Sequence, residues 1–164
     1  MTLVPGRGRV IGVDLGAKRV GIAVCDSSQH LATAASTLIR TGDRPGERRR
    51  LVDLVEEYEA VGVVFGLPRS LSGELGPAAL GVLEEIDALR PLLAVPIDTV
   101  DERLTTVAAA GALHAAGRRT HQQRSVIDQV AAAVLLQSWL DRRAGGGDAG
   151  PTDRPPAGME HPRT

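Results

Sequence analysis

Gly12-Val13-Asp14-Leu15-Gly16-Ala17-Lys18-Arg19-Val20-Gly21-Ile22-Ala23-Val24-Cys25-Asp26 decides how this chain is read. Arg9 to Asp14 and Val20 to Val24 are apolar runs of strand length, and Gly16 to Arg19 between them reads as a tight turn. The first strand therefore ends on a carboxylate, and the turn that follows carries two cations. Such a hairpin can hold a divalent metal against a phosphate. An acid that ends a buried strand is costly unless it is paired or metal-bound, so a salt bridge from Asp14 to Lys18 or Arg19 is the simpler alternative.

Outward from the hairpin, Leu31 to Ile39 makes a third strand and completes an antiparallel meander. Leu51, Val52, Leu54, Val55 and Tyr58 recur at helical spacing within Arg48 to Tyr58. Arg48-Arg49-Arg50 opposite them reads as a solvated face paired with Glu56, Glu57 and Glu59. Val61 to Phe65 is a continuous apolar run, as in a strand buried on both faces, and Gly66-Leu67-Pro68 ends it. A helix over Leu75 to Leu89, a buried strand over Leu92 to Ile97, and helices over Arg103 to Ala116 and Val126 to Leu140 complete the pattern. This order predicts an α/β fold: a mixed five-stranded sheet, three antiparallel strands then two parallel, with helices on both faces.

A chain of 164 residues suits one domain. Residues 1–143 are expected to form it. Residues 144–164 turn to Gly, Pro, Asp and Arg and cannot bury enough apolar surface to offset their ordering entropy, which predicts a disordered tail. A net charge of −1 excludes a broadly basic surface, so nucleic-acid affinity has to come from a local cationic strip. One Phe, one Trp and one Tyr argue against a base-stacking platform. The lone Cys25 fits a reduced cytoplasm and reads as a small buried hydrophobe. No apolar run approaches the roughly 20 residues of a membrane span, and Met1 to Arg9 lacks a signal-peptide core. A soluble, cytoplasmic protein with no membrane partner is expected.

The later segments offer partners for Asp14. Asp98, Asp101 and Glu102 follow the last strand, and Asp128 sits on the apolar face of the final helix, one turn from its start. Carboxylates from three distant segments could then meet at one rim. Clusters of this kind bind two hard cations roughly 4 Å apart, which activate water and stabilise the leaving oxygen in phosphodiester cleavage. Each acid also has a plainer role. Ser125-x-x-Asp128 has the form of a capping box, Asp101 can cap the helix near Arg103, and Glu102 would favour that helix's first turn. Lys18, Arg19, Arg69, Arg103 and Arg124 lie in or beside the loops that would flank the acids. A polyanion needs such cations to approach carboxylates. His121, in the loop before the last helix, could contact phosphate, and the four histidines form no ligand pair.

Gly-Val-Asp14-Leu-Gly16-Ala-Lys18-Arg19-Val-Gly21-Ile-Ala, Val-Phe-Gly66-Leu-Pro68, Asp101-Glu102-Arg103-Leu-Thr105-Thr106 and Ile-Asp128-Gln-Val-Ala-Ala form an ordered set. From about Val10 to Leu140 the chain resembles the YqgF family, RuvX-like proteins described as Holliday junction resolvases or pre-16S rRNA nucleases. The resemblance implies a ribonuclease H-like fold. It implies that Asp14, Glu102 and Asp128 are catalytic and bind Mg²⁺ or Mn²⁺. It also implies that Lys18, Arg19 and Arg103 lie near substrate phosphates, and that Gly66-Leu67-Pro68 and Thr105-Thr106 shape the rim and cap the helix. The loop Arg118-Arg119-Thr120-His121-Gln122-Gln123 departs from the pattern, since relatives often carry more lysine there.

The expected function is metal-dependent nuclease action on the 5′ end of the small-subunit ribosomal RNA precursor, by a monomer or homodimer. The alternatives are a Holliday junction resolvase acting on branched DNA, a phosphate- or nucleotide-binding module related to the actin and sugar-kinase hairpin, and a ribosome-assembly factor without catalysis.

Overall fold

The computed structural model describes residues 3–70, 72–104 and 121–145, the last of these from residue 126 for side chains. Five strands form one sheet among the described residues: β1 (Val10–Leu15), β2 (Arg19–Cys25), β3 (Ala32–Ile39), β4 (Gly62–Leu67) and β5 (Ile97–Asp101). Their order across the sheet is β3-β2-β1-β4-β5. β2 is antiparallel to β1 and β3, while β1, β4 and β5 run parallel. The mixed sheet expected from the sequence is therefore present, with α1 (Arg44–Glu57), α2 (Pro77–Leu89) and α3 (His121–Gly145) packed on it.

Side chains alternate across a strand, so each strand divides its residues between two cores. Ile11 and Val13 of β1, Val20 and Ile22 of β2, and Val63, Phe65 and Leu67 of β4 share one cluster with α1 and α2. Ala79, Val82, Ile86 and Leu89 supply the buried stripe of α2, at three- and four-residue spacing. The other face, with Val10, Ala23, Cys25, Val64 and Val100, meets Ala132, Leu135, Leu136, Trp139 and Leu140 of α3. Cys25 is buried there as expected, its Sγ accepting from the Val10 N–H at 3.1 Å.

Glycines let α3 lie close on its face. A Cβ on Gly12 would stand 2.7 Å from Leu136 Cβ, and one on Gly21 would run into the Asp128 carbonyl oxygen. Only residues without a side chain permit this approach.

Four expectations are corrected. The apolar run Leu92 to Ile97 is not a strand: Leu92 and Leu93 N–H groups donate to the Leu89 carbonyl in a turn after α2, and β5 starts at Ile97 and runs through polar residues to Asp101. Leu93, Val95 and Ile97 still pack on the α1–α2 core, which explains the apolar pattern without a ladder. α1 begins at Arg44, capped by the Asp43 carboxylate on the Gly46 N–H. Arg48 is not on a solvated face, because it reaches across to buried Glu85 of α2 at 2.8 Å, as Arg44 does. Finally, α3 starts at His121, not Val126, so His121 is helical. Of the helix expected over Arg103 to Ala116, a 3₁₀ turn over Glu102–Leu104 is described. Residues 105–120, Thr105 and Thr106 among them, lie outside the described residues, as do residues 146–164 of the tail.

Candidate active site

Strand parity carries the acids to one place. Val10, Gly12 and Asp14 share the α3 face of β1, with Asp14 at the carboxyl end of the strand. Val100 faces the same way on β5, and Glu102 follows two residues later. The Glu102 carboxylate lies over β4 at Gly66, where a Cβ would stand 2.8 Å from its Oε1. Asp128 precedes Ala132, Leu135, Leu136 and Trp139 on the sheet-facing stripe of α3. Its backbone rests on Gly21, the residue opposite Asp14 in the β1–β2 register. Asp128 is thus two turns inside the helix. The capping-box reading fails, since a cap must precede the first turn.

Electrostatics ties the three together. Burial raises the Asp14 carboxyl above its ordinary value, and the Asp128 charge raises it further. Burial also raises Glu102, to about 7, with smaller contributions from Asp14 and Asp101. A cation held between these half-buried carboxylates would lower both values. Among the described residues, however, no three His, Cys, Asp or Glu side chains stand close enough to hold an ion between them. Asp128 is engaged elsewhere: its Oδ2 accepts from Arg19 Nε at 2.6 Å. The salt bridge considered for Asp14 is therefore made by Asp128.

The cations divide into two groups around this rim. Lys18 is exposed at the hairpin tip beside Arg19. On the far side, Arg103 grips Asp101 with Nη2 at 2.6 Å and Nε at 3.0 Å, and Arg69 Nε lies 3.9 Å from the same carboxylate. Asp101 also accepts from the Arg103 backbone N–H at 3.0 Å, so it caps the turn as expected. Its carboxyl is held below the ordinary range, chiefly by the Arg103 hydrogen bond. Arg124 belongs to α3, but its side chain lies outside the described residues. Asp98, also considered as a ligand, instead accepts from Trp139 Nε1 at 2.9 Å. Sequence reasoning missed Arg40, which binds the Gly16 carbonyl at 3.0 Å and Glu47 at 2.9 Å and so braces the turn. An arginine just past a strand gives no local sign of such a role.

The fold is that of a RuvC protein. A Thermus thermophilus RuvC structure, in complex with a Holliday junction substrate, superposes with a TM-score of 0.56 at 16% identity over 84% of this chain and 96% of that one. RuvC is ribonuclease H-like, and the expected fold class is confirmed. Sequence relatives are nearer. A protein of Mycobacterium sp. strain KMS named "Putative pre-16S rRNA nuclease" is 51% identical over 140 residues, 85% of this chain and 83% of its own. The Mycobacterium tuberculosis (strain ATCC 25177 / H37Ra) protein of the same name is 49% identical over 141 residues, covering 85% and 82%. Residues 8–142 match the model of the RuvX family, described as Holliday junction resolvases. With Asp14, Glu102 and Asp128 all inside that span, the chain belongs to the RuvX (YqgF) family.

Proposed function

We propose that this protein is a nuclease that hydrolyses phosphodiester bonds in the precursor of 16S ribosomal RNA, with Asp14, Glu102 and Asp128 as its catalytic carboxylates. The observation that carries the reading is the convergence of these acids, from three separate segments, on the carboxyl-end rim of the sheet. The names of the mycobacterial relatives supply the substrate.

The donor chemistry suits a divalent cation, which would have to draw Asp128 away from Arg19 to close the three acids on one point. The donors are all carboxylate oxygens, the hard ligands that Mg²⁺ and Mn²⁺ prefer. Burial raises the pKa values of Asp14 and Glu102, and a bound cation would offset that by favouring their charged forms. Asp14, Glu102 and Asp128 would hold Mg²⁺ or Mn²⁺, which when bound polarises the phosphate and activates water. Lys18 and Arg19 on one side and Arg69 and Arg103 on the other would bind and orient the phosphate backbone, and Arg124 is proposed as a further phosphate contact. Asp101 fixes the Arg103 guanidinium by paired hydrogen bonds. A reduced cytoplasmic setting accords with the single buried cysteine.

Incubating the full chain with labelled 16S precursor RNA, with Mg²⁺, Mn²⁺ or EDTA, tests this. Cleavage should need the metal, and Asp14→Asn should lower it at least a thousandfold without loss of fold. Wild-type cutting by the variant, or in EDTA, overturns the reading.

A second reading follows from the description of the family as Holliday junction resolvases. Cutting a four-way junction symmetrically takes two sites on paired strands, hence a dimer. A stable dimer in solution that cuts a four-way DNA junction in matched pairs, and leaves the RNA intact, would establish it.

A further inference from the structure

The β1–β2 hairpin has a second flank, away from the carboxylates. An open cleft of about 590 Å³ lies there, between the hairpin tip and the start of α1, walled by Ala17, Lys18, Arg19, Arg40, Arg44 and Glu47. Arg40 and Glu47 cancel each other, and the bond from Arg40 to the Gly16 carbonyl makes them a fixed wall. Arg44 and Arg48 share the single carboxylate of Glu85, which leaves one positive charge over. Lys18 is exposed, and none of the ion pairs among the described residues includes it. The cleft thus carries two cations beyond its ion pairs, with the Asp43 carboxylate between Gly42 and Arg44 turned to the Gly46 N–H as the cap of α1, in a chain whose net charge is −1.

The contents of the cleft follow from its neighbour. Arg19 lines the cleft and also reaches Asp128, so the cleft and the carboxylate rim share one wall. Neighbouring strands of a hairpin are only about 5 Å apart, so a chain of phosphates crossing the tip meets both places in succession. Gly42, at φ 85°, has open space where a side chain would stand and leaves the backbone bare beside this path.

We propose that this cleft is a second phosphate site, which grips a backbone phosphodiester flanking the one presented to the carboxylates. The proposal rests on the nuclease reading for the identity of the strand. Arg44 is its diagnostic residue, because its side chain is 55% exposed while Arg48 keeps two bonds to Glu85 without it.

The test is binding of a fluorescent single-stranded RNA of about twelve nucleotides to the full chain in EDTA, by anisotropy, across a salt series. Arg44→Gln should weaken binding about fivefold at 0.1 M salt and reduce the slope of log K against log salt by about 0.7, the increment for one phosphate contact on a single strand. Arg44→Lys should restore both. Ala17→Glu breaks no ion pair yet sets a carboxylate in the cleft, and should weaken binding at least as much. Wild-type affinity and slope in Arg44→Gln overturn the proposal, and so does wild-type affinity in Ala17→Glu. So does displacement of the RNA by inorganic phosphate at equal phosphate concentration, which would assign the cleft to a free anion. The two readings fail separately. An Arg44-dependent slope in a protein that cuts nothing removes the nuclease and keeps the cleft; RNA cleavage with Arg44-independent binding removes the cleft alone.

Discussion

The two faces of the sheet are built from the same strands and have opposite characters. Toward α1 and α2 the strands present Ile11, Val13, Ile22, Val63 and Phe65, all 1% exposed or less. Toward α3 the same strands present Gly12, Gly21, Gly66 and Asp14. The first face is filled by large side chains and carries stability. The second is emptied at its carboxyl end so that the backbone of α3 can lie against the strands beside Asp14. A sheet that alternates every residue can serve both purposes because a change on one face leaves the other nearly untouched.

That separation can be broken from either side. Phe65→Ala should cost the most stability, about 3–5 kcal/mol for an aromatic deleted from a packed core. Its cleavage rate per folded molecule should stay within twofold of wild type below the new melting point. Urea unfolding beside single-turnover cleavage measures both, and a rate that falls with stability would mean that the faces are coupled. Gly21→Ala tests the other face. The methyl meets the Asp128 carbonyl, so overpacking should cost about 1–3 kcal/mol. Here Mn²⁺ binding and cleavage should also be lost at temperatures where the variant is still folded.

Glu102 gives a smaller effect with a definite sign. Its carboxyl titrates at about 7 in the fold against 4.5 for the free group. Between those values the unfolded chain binds fewer protons than the native one, so stability of the metal-free protein falls as pH rises from about 4.5 to 7 and then levels. Discounted for partial exposure, the fall is on the order of 1 kcal/mol. Glu102→Gln should remove it in urea titrations run with EDTA, and an unchanged pH profile would mean that the side chain is not buried in solution. The smallest effect is that of Arg19→Gln. Releasing Asp128 from its ion pair should tighten Mn²⁺ binding roughly two- to fivefold, the about 1 kcal/mol or less of a partly exposed pair. Electron paramagnetic resonance of free Mn²⁺ would read this, and weaker metal binding would contradict the competition between Arg19 and the ion.

How much of this the sequence disclosed depended on whether the relevant forces act locally. Strands β1, β2 and β4 were legible because their apolar runs are bounded by glycine turns or by Pro68. Asp14 was legible because a carboxylate closing such a run stands out. The β5 strand was displaced by five residues, since its apolar lead-in packs as a turn while Asp98 within the strand is satisfied by distant Trp139. The start of α3 was hidden because His121 to Ser125 are all polar and carry no apolar period, and Ser125-x-x-Asp128 imitated a cap. Which cation meets which acid was likewise beyond local reading: Arg19 and Asp128 are 109 residues apart, and only the glycine-floored packing of α3 brings them together.

The guanidinium of Arg143 stacks 4.5 Å above the Trp139 ring and donates to the Val4 carbonyl at 2.8 Å. It pins the lead-in to β1 against the last turn of α3, at the end of the sheet away from Asp14. For anyone attaching the molecule to a surface, a dye or a fusion partner, the two sides of this clasp are equivalent anchor points. A tether leaving from either one holds the carboxylate rim outward, free to meet a long RNA.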